Sequence, residues 1–276
     1  MICFPSCKIN LGLRITHKRA DGFHALETVF YPITLTDALE IIIEPETSAA
    51  PISCTSSGLA INGDPTDNLC YKAYFILKND YPSIPNIKMH LHKKIPMGAG
   101  LGGGSSDGAF TLVALNQLFN LQLSEQALLD YALQLGSDCP FFILNRPAFA
   151  TGRGEILTPT TVNLNGYSII IVNPGIAIST KLAFSLITPK IPETNLAAII
   201  QQPISTWKDE LINDFEQPIF NSFPELANIK ETLYQKGAVY ASMTGTGSTV
   251  YGIFPTSIID TLSFNFPSHY FIATAS

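Results

Sequence analysis

Apolar positions in the first third of the chain recur at short period. Residues 8–15 alternate loosely and stop at the polar turn Lys18-Arg-Ala-Asp-Gly22, after which residues 27–33 and 38–44 repeat the strand pattern. The Asp67-Asn68 pair then reads as a helix start for residues 71–77, and residues 87–92 alternate again into a glycine-dense segment. Beyond it the period lengthens: Ala109, Leu112, Val113 and residues 116–119 follow helical spacing, and Ser124 caps a second helix running to about residue 135. The apolar run Phe141-Phe-Ile-Leu144 reads as a core strand. Past Gly152 the pattern restarts, with a strand at 167–172, helical stretches near 196–200 and 219–235, and a strand pair across 240–254. A helix-like segment near 257–262 and a strand at 270–273 close the chain. Helices interposed among strands that need not run parallel imply an α+β fold rather than a doubly wound sheet. A soft boundary near residue 152 divides the sequence into 1–152 and 153–276, with no low-complexity linker and no internal repeat.

Composition narrows the function classes. With 276 residues and 46% hydrophobic content the chain fills real cores, so it is not a disordered segment. Only 14% of residues are charged and the formal net charge is −6, which leaves no global basic field for a nucleic acid. Any phosphate is gripped locally. The apolar runs are far shorter than the ~20 residues of a spanning helix, and no secretory pattern opens the sequence, so a soluble cytoplasmic protein is expected. Five cysteines, odd in number and lacking a Cys-x-x-Cys pair, read as reduced, buried, small hydrophobes.

The strongest chemical signal lies between a predicted strand and a predicted helix. It comprises Pro96, Met97, Gly98, Ala99, Gly100, Leu101, Gly102, Gly103, Gly104, Ser105 and Ser106. Glycines let backbone approach a ligand closely, and the helix start behind them offers unpaired N–H groups at a positive dipole end. Ser105 and Ser106 can cap that helix, and their hydroxyls can reach phosphate or metal. A Walker A loop is excluded, because Gly104 stands where its lysine belongs. Gly98, Gly100 and Gly103 do satisfy the dinucleotide fingerprint, but a second helix follows where that fold needs a strand. A mere spacer is the plain alternative; a glycine run set between strand and helix is more often a ligand loop.

Two charged residues lie apart from this loop. Asp138 follows the second helix in Gly136-Ser-Asp-Cys-Pro140, and Lys8 interrupts an otherwise uncharged strand. Taken singly, a turn aspartate and a solvated edge lysine are the ordinary readings. A second glycine-rich turn, Thr244-Gly-Thr-Gly-Ser248, closes a hairpin, supports the first loop or contacts substrate across an interdomain cleft.

Taken in order, Ser6-Cys-Lys-Ile-Asn-Leu11, the loop 96–106 and the turn 244–248 resemble the GHMP kinases (galactokinase, homoserine, mevalonate and phosphomevalonate kinases) over about residues 6–254. Lys18-Arg-Ala-Asp-Gly-Phe-His24 and Leu135-Gly-Ser-Asp-Cys-Pro-Phe-Phe142 resemble the branch whose acceptor is a cytidine-diphosphate sugar alcohol. The resemblance implies a two-domain architecture with its active site in an interdomain cleft, the first domain binding nucleotide, and ATP, with Mg²⁺, as phosphoryl donor. It implies Asp138 as catalytic base with Lys8 as its paired lysine, which would hold the carboxylate ionised. It places Asn10, Phe23 and His24 at the cytidine end, walled by Thr180 and Phe184. Three positions depart from the branch pattern: Phe23 where tyrosine is common, Lys181 where a smaller or uncharged residue is common, and Asp107-Gly108 in place of small residues. A carboxylate at 107 repels phosphates unless it faces metal or solvent. A kinase of the same family for another alcohol, a non-catalytic nucleotide-binding module and a nicotinamide-dependent enzyme are the competing readings.

Overall fold

A computed structural model describes residues 1–45, 50–61, 63–192 and 194–275. In chain order the strands are β1 (Ile2–Cys3), β2 (Ser6–Lys18), β3 (His24–Thr36), β4 (Ala38–Ile43), β5 (Ile52–Gly58), β6 (Ile87–Lys93), β7 (Ala148–Thr151), β8 (Ile156–Pro159), β9 (Tyr167–Asn173), β10 (Tyr240–Met243), β11 (Val250–Pro255) and β12 (Phe271–Ala275). The helices are α1 (Leu69–Asp80), α2 (Gly103–Leu118), α3 (Glu125–Leu135), α4 (Cys139–Leu144), α5 (Thr180–Ser185), α6 (Leu196–Ile199), α7 (Trp207–Glu210), α8 (Glu216–Ser222) and α9 (Pro224–Gln235). Nearly every strand pairing is antiparallel, the parallel β5–β6 contact being the exception, so the α+β expectation holds.

The chain forms two compact units, each discontinuous in sequence. The first comprises Met1–Cys7, Leu35–Met97 and Gly102–Arg146. It holds the sheet β1-β4-β6-β5 and the helices α1 to α4. Alternation along β4 and β6 buries Leu39, Ile41, Ile87, Met89 and Leu91 on one face. Helix α2 is buried over most of its circumference, as a central helix is. A Cβ at Gly108 would come within 2.8 Å of Leu69, so this glycine lets α1 and α2 approach closely. The predicted start of α3 is confirmed: Ser124 accepts a hydrogen bond from the Ala127 amide.

The second unit comprises Lys8–Thr34, Gly98–Leu101 and Pro147–Ser276. It carries the sheets β2-β3-β7-β8 and β10-β11-β9-β12. Leu13, Ile15, Ile170, Val172, Phe215, Leu226, Ile229 and Leu233 share one apolar core there.

Three expectations need correction. Residues 141–144 are the helix α4, not a strand; Pro140 sits in its first turn, and a run of four apolar residues carries no period of its own. The helix expected over 219–235 is two helices, because Pro224 forces Phe223 out of helical conformation (φ −133°, ψ 76°). Among the cysteines, Cys7, Cys70 and Cys139 are buried, whereas Cys54 is exposed; all five are free thiols.

Candidate active site

Lys8 is not the solvated edge lysine of the ordinary reading, for it lies on β2 with 3% of its surface exposed. Its ammonium donates to Asn10 Oδ1 at 2.6 Å and to the Gly100 carbonyl at 3.0 Å, and it stands 5.0 Å from the Phe30 ring centroid. Its backbone N–H donates to the Leu101 carbonyl at 3.0 Å. Thus β2 holds the middle of the glycine loop by main chain and side chain at once.

Asn10 is the hub of a buried polar cluster that keeps Lys8 in place. Its Nδ2 donates to Thr28 Oγ1 at 3.0 Å, its backbone N–H donates to Thr244 Oγ1 at 3.1 Å, and its carbonyl accepts from the Tyr251 hydroxyl at 2.8 Å. The Thr244 hydroxyl lies 3.1 Å from Asn10 Oδ1 and 3.0 Å from the Gly100 carbonyl. Fully paired groups of this kind fix a single arrangement, since any break strands a buried polar atom. The second glycine turn therefore does support the first. Gly100 has φ +78°, and a Cβ there would sit 2.1 Å from the Thr244 carbonyl oxygen. Asn213 braces the turn from below, donating to the carbonyls of Met243 (2.7 Å) and Gly245 (3.0 Å).

In the first unit, α2 begins at Gly103 after Gly102 in left-handed conformation (φ 70°, ψ 15°), and no side chain caps it. Ser105 and Ser106 are consequently not caps, as expected from sequence, but residues of the first turn, while glycine supplies the entry geometry. An uncapped first turn on a 16-residue helix leaves its N–H groups to an anion. Asp138 stands at the N-cap of α4, half-buried, in helical rather than extended conformation (φ −85°, ψ −17°), with no capping hydrogen bond from its side chain. The capping role that would explain it away is thus not the one it plays. Cys139, next in sequence, has its thiol in hydrogen-bonding contact with Ser105. That contact ties the segment carrying Asp138 to the first turn of α2. Burial pushes the Cys139 thiol up to about 12, so it stays protonated.

Asp107 corrects another expectation: it does not face solvent. It is 2% exposed and ion-paired with Lys93 Nζ at 2.7 Å; the same ammonium also binds Asp37. Burial and the Asp37 carboxylate outweigh Lys93 and push Asp107 up to about 7. Burial opposes the charge on Lys93, but Asp107 and Asp37 prevail and raise its pKa.

In the second unit, the polar segment before β3 is a tight turn. Arg19 pairs with Asp21 at 2.9 Å, Asp21 accepts from the Phe23 amide at 3.1 Å, and Arg19 N–H donates to the Phe23 carbonyl at 2.8 Å. Phe23 is 55% exposed, which rules out a core role, and the Arg153 guanidinium covers its ring at 5.0 Å. His24 stacks on Phe184 (centroids 5.0 Å apart, 24° between planes), and Phe184 meets Phe215 edge-on. Phe184 and Thr180 lie on α5, where Ser179 caps the helix and Lys181 is exposed. The structure therefore gathers Lys8, Asn10, Gly100 and Thr244 in one cluster, and His24 with Phe184 in another. Sequence reasoning missed Thr28, Asn213, Asp37 and Lys93. Of these only Lys93, a charge in an alternating strand beside the glycine loop, left a visible signal.

Among the described residues no group of three or more His, Cys, Asp or Glu gathers as a protein-held metal site.

A glycine-rich loop leading into an uncapped helix, with a buried lysine on the loop's Gly100 carbonyl, is an arrangement suited to holding an anion. Comparison with known proteins agrees. The description "GHMP kinases N terminal domain" matches residues 68–146 and "GHMP kinases C terminal" matches residues 196–268. The chain belongs to the GHMP kinases. It is 52% identical over 254 residues (92% of each chain) to a 4-diphosphocytidyl-2-C-methyl-D-erythritol kinase of Bacteroides thetaiotaomicron. It is 48% identical over 273 residues (99% of this chain, 100% of the relative) to the enzyme of that name from Azobacteroides pseudotrichonymphae. A crystal structure of a 4-(cytidine 5'-diphospho)-2C-methyl-D-erythritol kinase superposes with a TM-score of 0.78 at 29% identity, covering 100% of this chain and 99% of the other. Within the GHMP kinases, the chain falls in the 4-diphosphocytidyl-2-C-methyl-D-erythritol kinase family.

Proposed function

We propose that this protein transfers the γ-phosphoryl group of ATP to the 2-hydroxyl of 4-diphosphocytidyl-2-C-methyl-D-erythritol, a step of non-mevalonate isoprenoid precursor synthesis. The observation that carries the reading is the Lys8 ammonium seated on the Gly100 carbonyl inside the glycine loop, which puts a fixed cation beside the phosphate-binding backbone. Residues 96–106 cradle the triphosphate on backbone N–H groups, with nucleotide binding assigned to residues 1–152 and the remainder to the second domain. Asp138 accepts the proton of the acceptor hydroxyl as its oxygen bonds to the γ-phosphorus; the bond from that phosphorus to the bridging oxygen breaks, and ADP leaves with the electron pair. Lys8 offsets negative charge gathering on the transferred group. Mg²⁺ entering with the nucleotide would neutralise part of the phosphate charge, the hydroxyls of Ser105 and Ser106 being within the loop that would receive it. Phe23, His24 and Phe184 offer ring faces to the cytosine, with Asn10 and Thr180 as hydrogen-bonding partners of the substrate. The reading places its action on water-soluble substrates in the cytosol; among the described residues no helix is long and apolar enough to cross a membrane.

The test is release of ADP from ATP and Mg²⁺ with a panel of acceptors: the cytidine compound, its uridine analogue, mevalonate, homoserine and galactose. Turnover confined to the cytidine compound is expected. Turnover with another alcohol alone overturns the acceptor and keeps the kinase; silence across the panel overturns both.

A further inference from the structure

Asp37, Lys93 and Asp107 are almost wholly withdrawn from water, their side chains 0%, 0% and 3% exposed. One cation with two carboxylates is an expensive way to fill a core, because an apolar trio of the same volume usually serves stability as well or better. Position is what the trio supplies. Asp37 Oδ1 accepts the backbone N–H groups of Lys94 at 2.6 Å and Ile95 at 2.9 Å, the last residues before Pro96. Asp107 lies in the second turn of α2, and a Cβ on Gly103, the first residue of that helix, would stand 3.4 Å from Lys93 Nζ and 2.8 Å from Ile95 Cγ2. Asp37 is itself fixed by donation from its own N–H to the Pro5 carbonyl at 2.9 Å. The trio thus binds the segment entering the glycine loop and the helix leaving it, both within the first unit, to one ammonium.

We propose that Lys93 is a positioning residue for phosphoryl transfer: by bridging Asp37 and Asp107 its ammonium sets the separation and direction of the two ends of the phosphate-binding loop. The inference deepens the kinase reading and rests on it. Ser106 Oγ and Asp107 Oδ1, both buried without a hydrogen-bond partner among the described residues, mark spare polar capacity at this point. The arrangement is therefore not one of maximal stability. Among the described residues the Cys3 and Cys70 thiols also lie within electrostatic reach of Asp107, both pushed up by burial and so neutral at physiological pH. Asp107 is then the member of the trio whose charge changes near neutrality, so the loop's anchorage weakens or tightens with pH.

The experiment compares wild type, Lys93→Met, Asp107→Asn and the neutral triple variant Asp37→Asn/Lys93→Met/Asp107→Asn. Urea unfolding, calorimetric ATP binding and steady-state kinetics are measured on each. Lys93→Met is expected to weaken ATP binding at least about 10-fold while the acceptor KM moves less than about 2-fold. The triple variant, free of an unpaired buried charge, is expected to recover stability over Lys93→Met without recovering ATP affinity. Recovery of both reduces the trio to a structural role and overturns the proposal. If Lys93→Met does not fold, Asp107→Asn decides: a 3-fold or larger rise in ATP KM and a flattened pH profile between 6 and 8 support the proposal, and an unchanged KM and profile refute it. Wild type that fails to turn over any acceptor counts against the kinase reading, whereas an active wild type with Lys93→Met binding ATP equally well counts against Lys93 alone.

Discussion

Replacement of Gly100 by alanine tests the idea that two glycine turns and a buried lysine form one object. The added Cβ would lie 2.1 Å from the Thr244 carbonyl oxygen and 3.3 Å from the Gly247 carbonyl oxygen, both main-chain atoms that cannot swing aside. Relief requires a backbone shift of more than about 1 Å, since ordinary contact begins near 3.4 Å. That shift draws the Gly100 carbonyl away from Lys8 Nζ and Thr244 Oγ1, each 3.0 Å distant in the native arrangement. An L-residue at φ +78° costs about 1–2 kcal/mol. Loss of the bond to the charged lysine costs about 1.5–3 kcal/mol, and loss of the threonine bond about 1 kcal/mol. The total is about 4–6 kcal/mol, and with a urea slope near 3 kcal/mol per molar the midpoint falls by roughly 1–2 M. A displacement of about 1 Å in the phosphate cradle lowers kcat/KM for ATP by about 100-fold. Gly166→Ala is the control, because Gly166 shares the positive φ (+81°) but has nothing within 4 Å of its Cβ position. It should lose about 1–2 kcal/mol and keep full activity. Equal midpoints for the two variants, with ATP KM within twofold of wild type in both, would falsify the coupling of loop, turn and lysine.

Three further outcomes are expected. Asp138→Asn lowers kcat by about 10²- to 10⁴-fold while ATP affinity measured by calorimetry stays within threefold; near-normal turnover removes Asp138 from the chemistry. His24→Ala, which deletes the ring stacked on Phe184, raises KM for the cytidine substrate about 2- to 12-fold and leaves KM for ATP unchanged, and an equal rise in both argues for a general loss of fold. The folded pKa of Asp107 is raised, from 3.8 to about 7, so the unfolded chain releases its proton first as pH rises. This group's contribution to stability is accordingly full below about pH 4 and declines up to about pH 7, the reverse of a carboxylate whose pKa is lowered by folding. Urea midpoints across that window should fall less steeply in Asp107→Asn than in wild type; parallel profiles would show that Asp107 titrates normally.

Legibility in the sequence followed the range of the forces involved. Strands β4 and β6 and the start of α3 were visible because period-two burial and a serine cap are written into adjacent residues. Strand β2 was visible because its apolar residues alternate, although both its faces are buried, and β9 because it is a short apolar run buried on both faces. Helix α4 was misread because four apolar residues satisfy strand and buried helix alike, and only packing decides. The edge strand β5, with all but Ile52 and Ser53 exposed, offered no apolar stripe at all. Much of the site was readable as motif, yet the reason Lys8 is buried was not. Its partner Gly100 lies 92 positions away and Thr244, which donates to the same carbonyl, a further 144, and no local pattern announces hydrogen bonds of that span. The Asp37–Lys93–Asp107 trio was hidden for the same reason, and Asp107 looked like a liability until its counter-ion was seen.

The discontinuous make-up of the second unit has a consequence at the ribosome. Lys8–Thr34 emerges early, but most of its sheet and core partners begin at Pro147, about 110 residues later. At elongation rates of about 5–20 residues per second that is a wait of roughly 6–20 s. During it β2 and β3 present Ile9, Leu11, Leu13, Ile15 and Val29, all destined for burial, with no partner strand from β7 yet made. Nascent chains stalled near residue 130 should bind holdase chaperones through this segment and release them once synthesis passes β11.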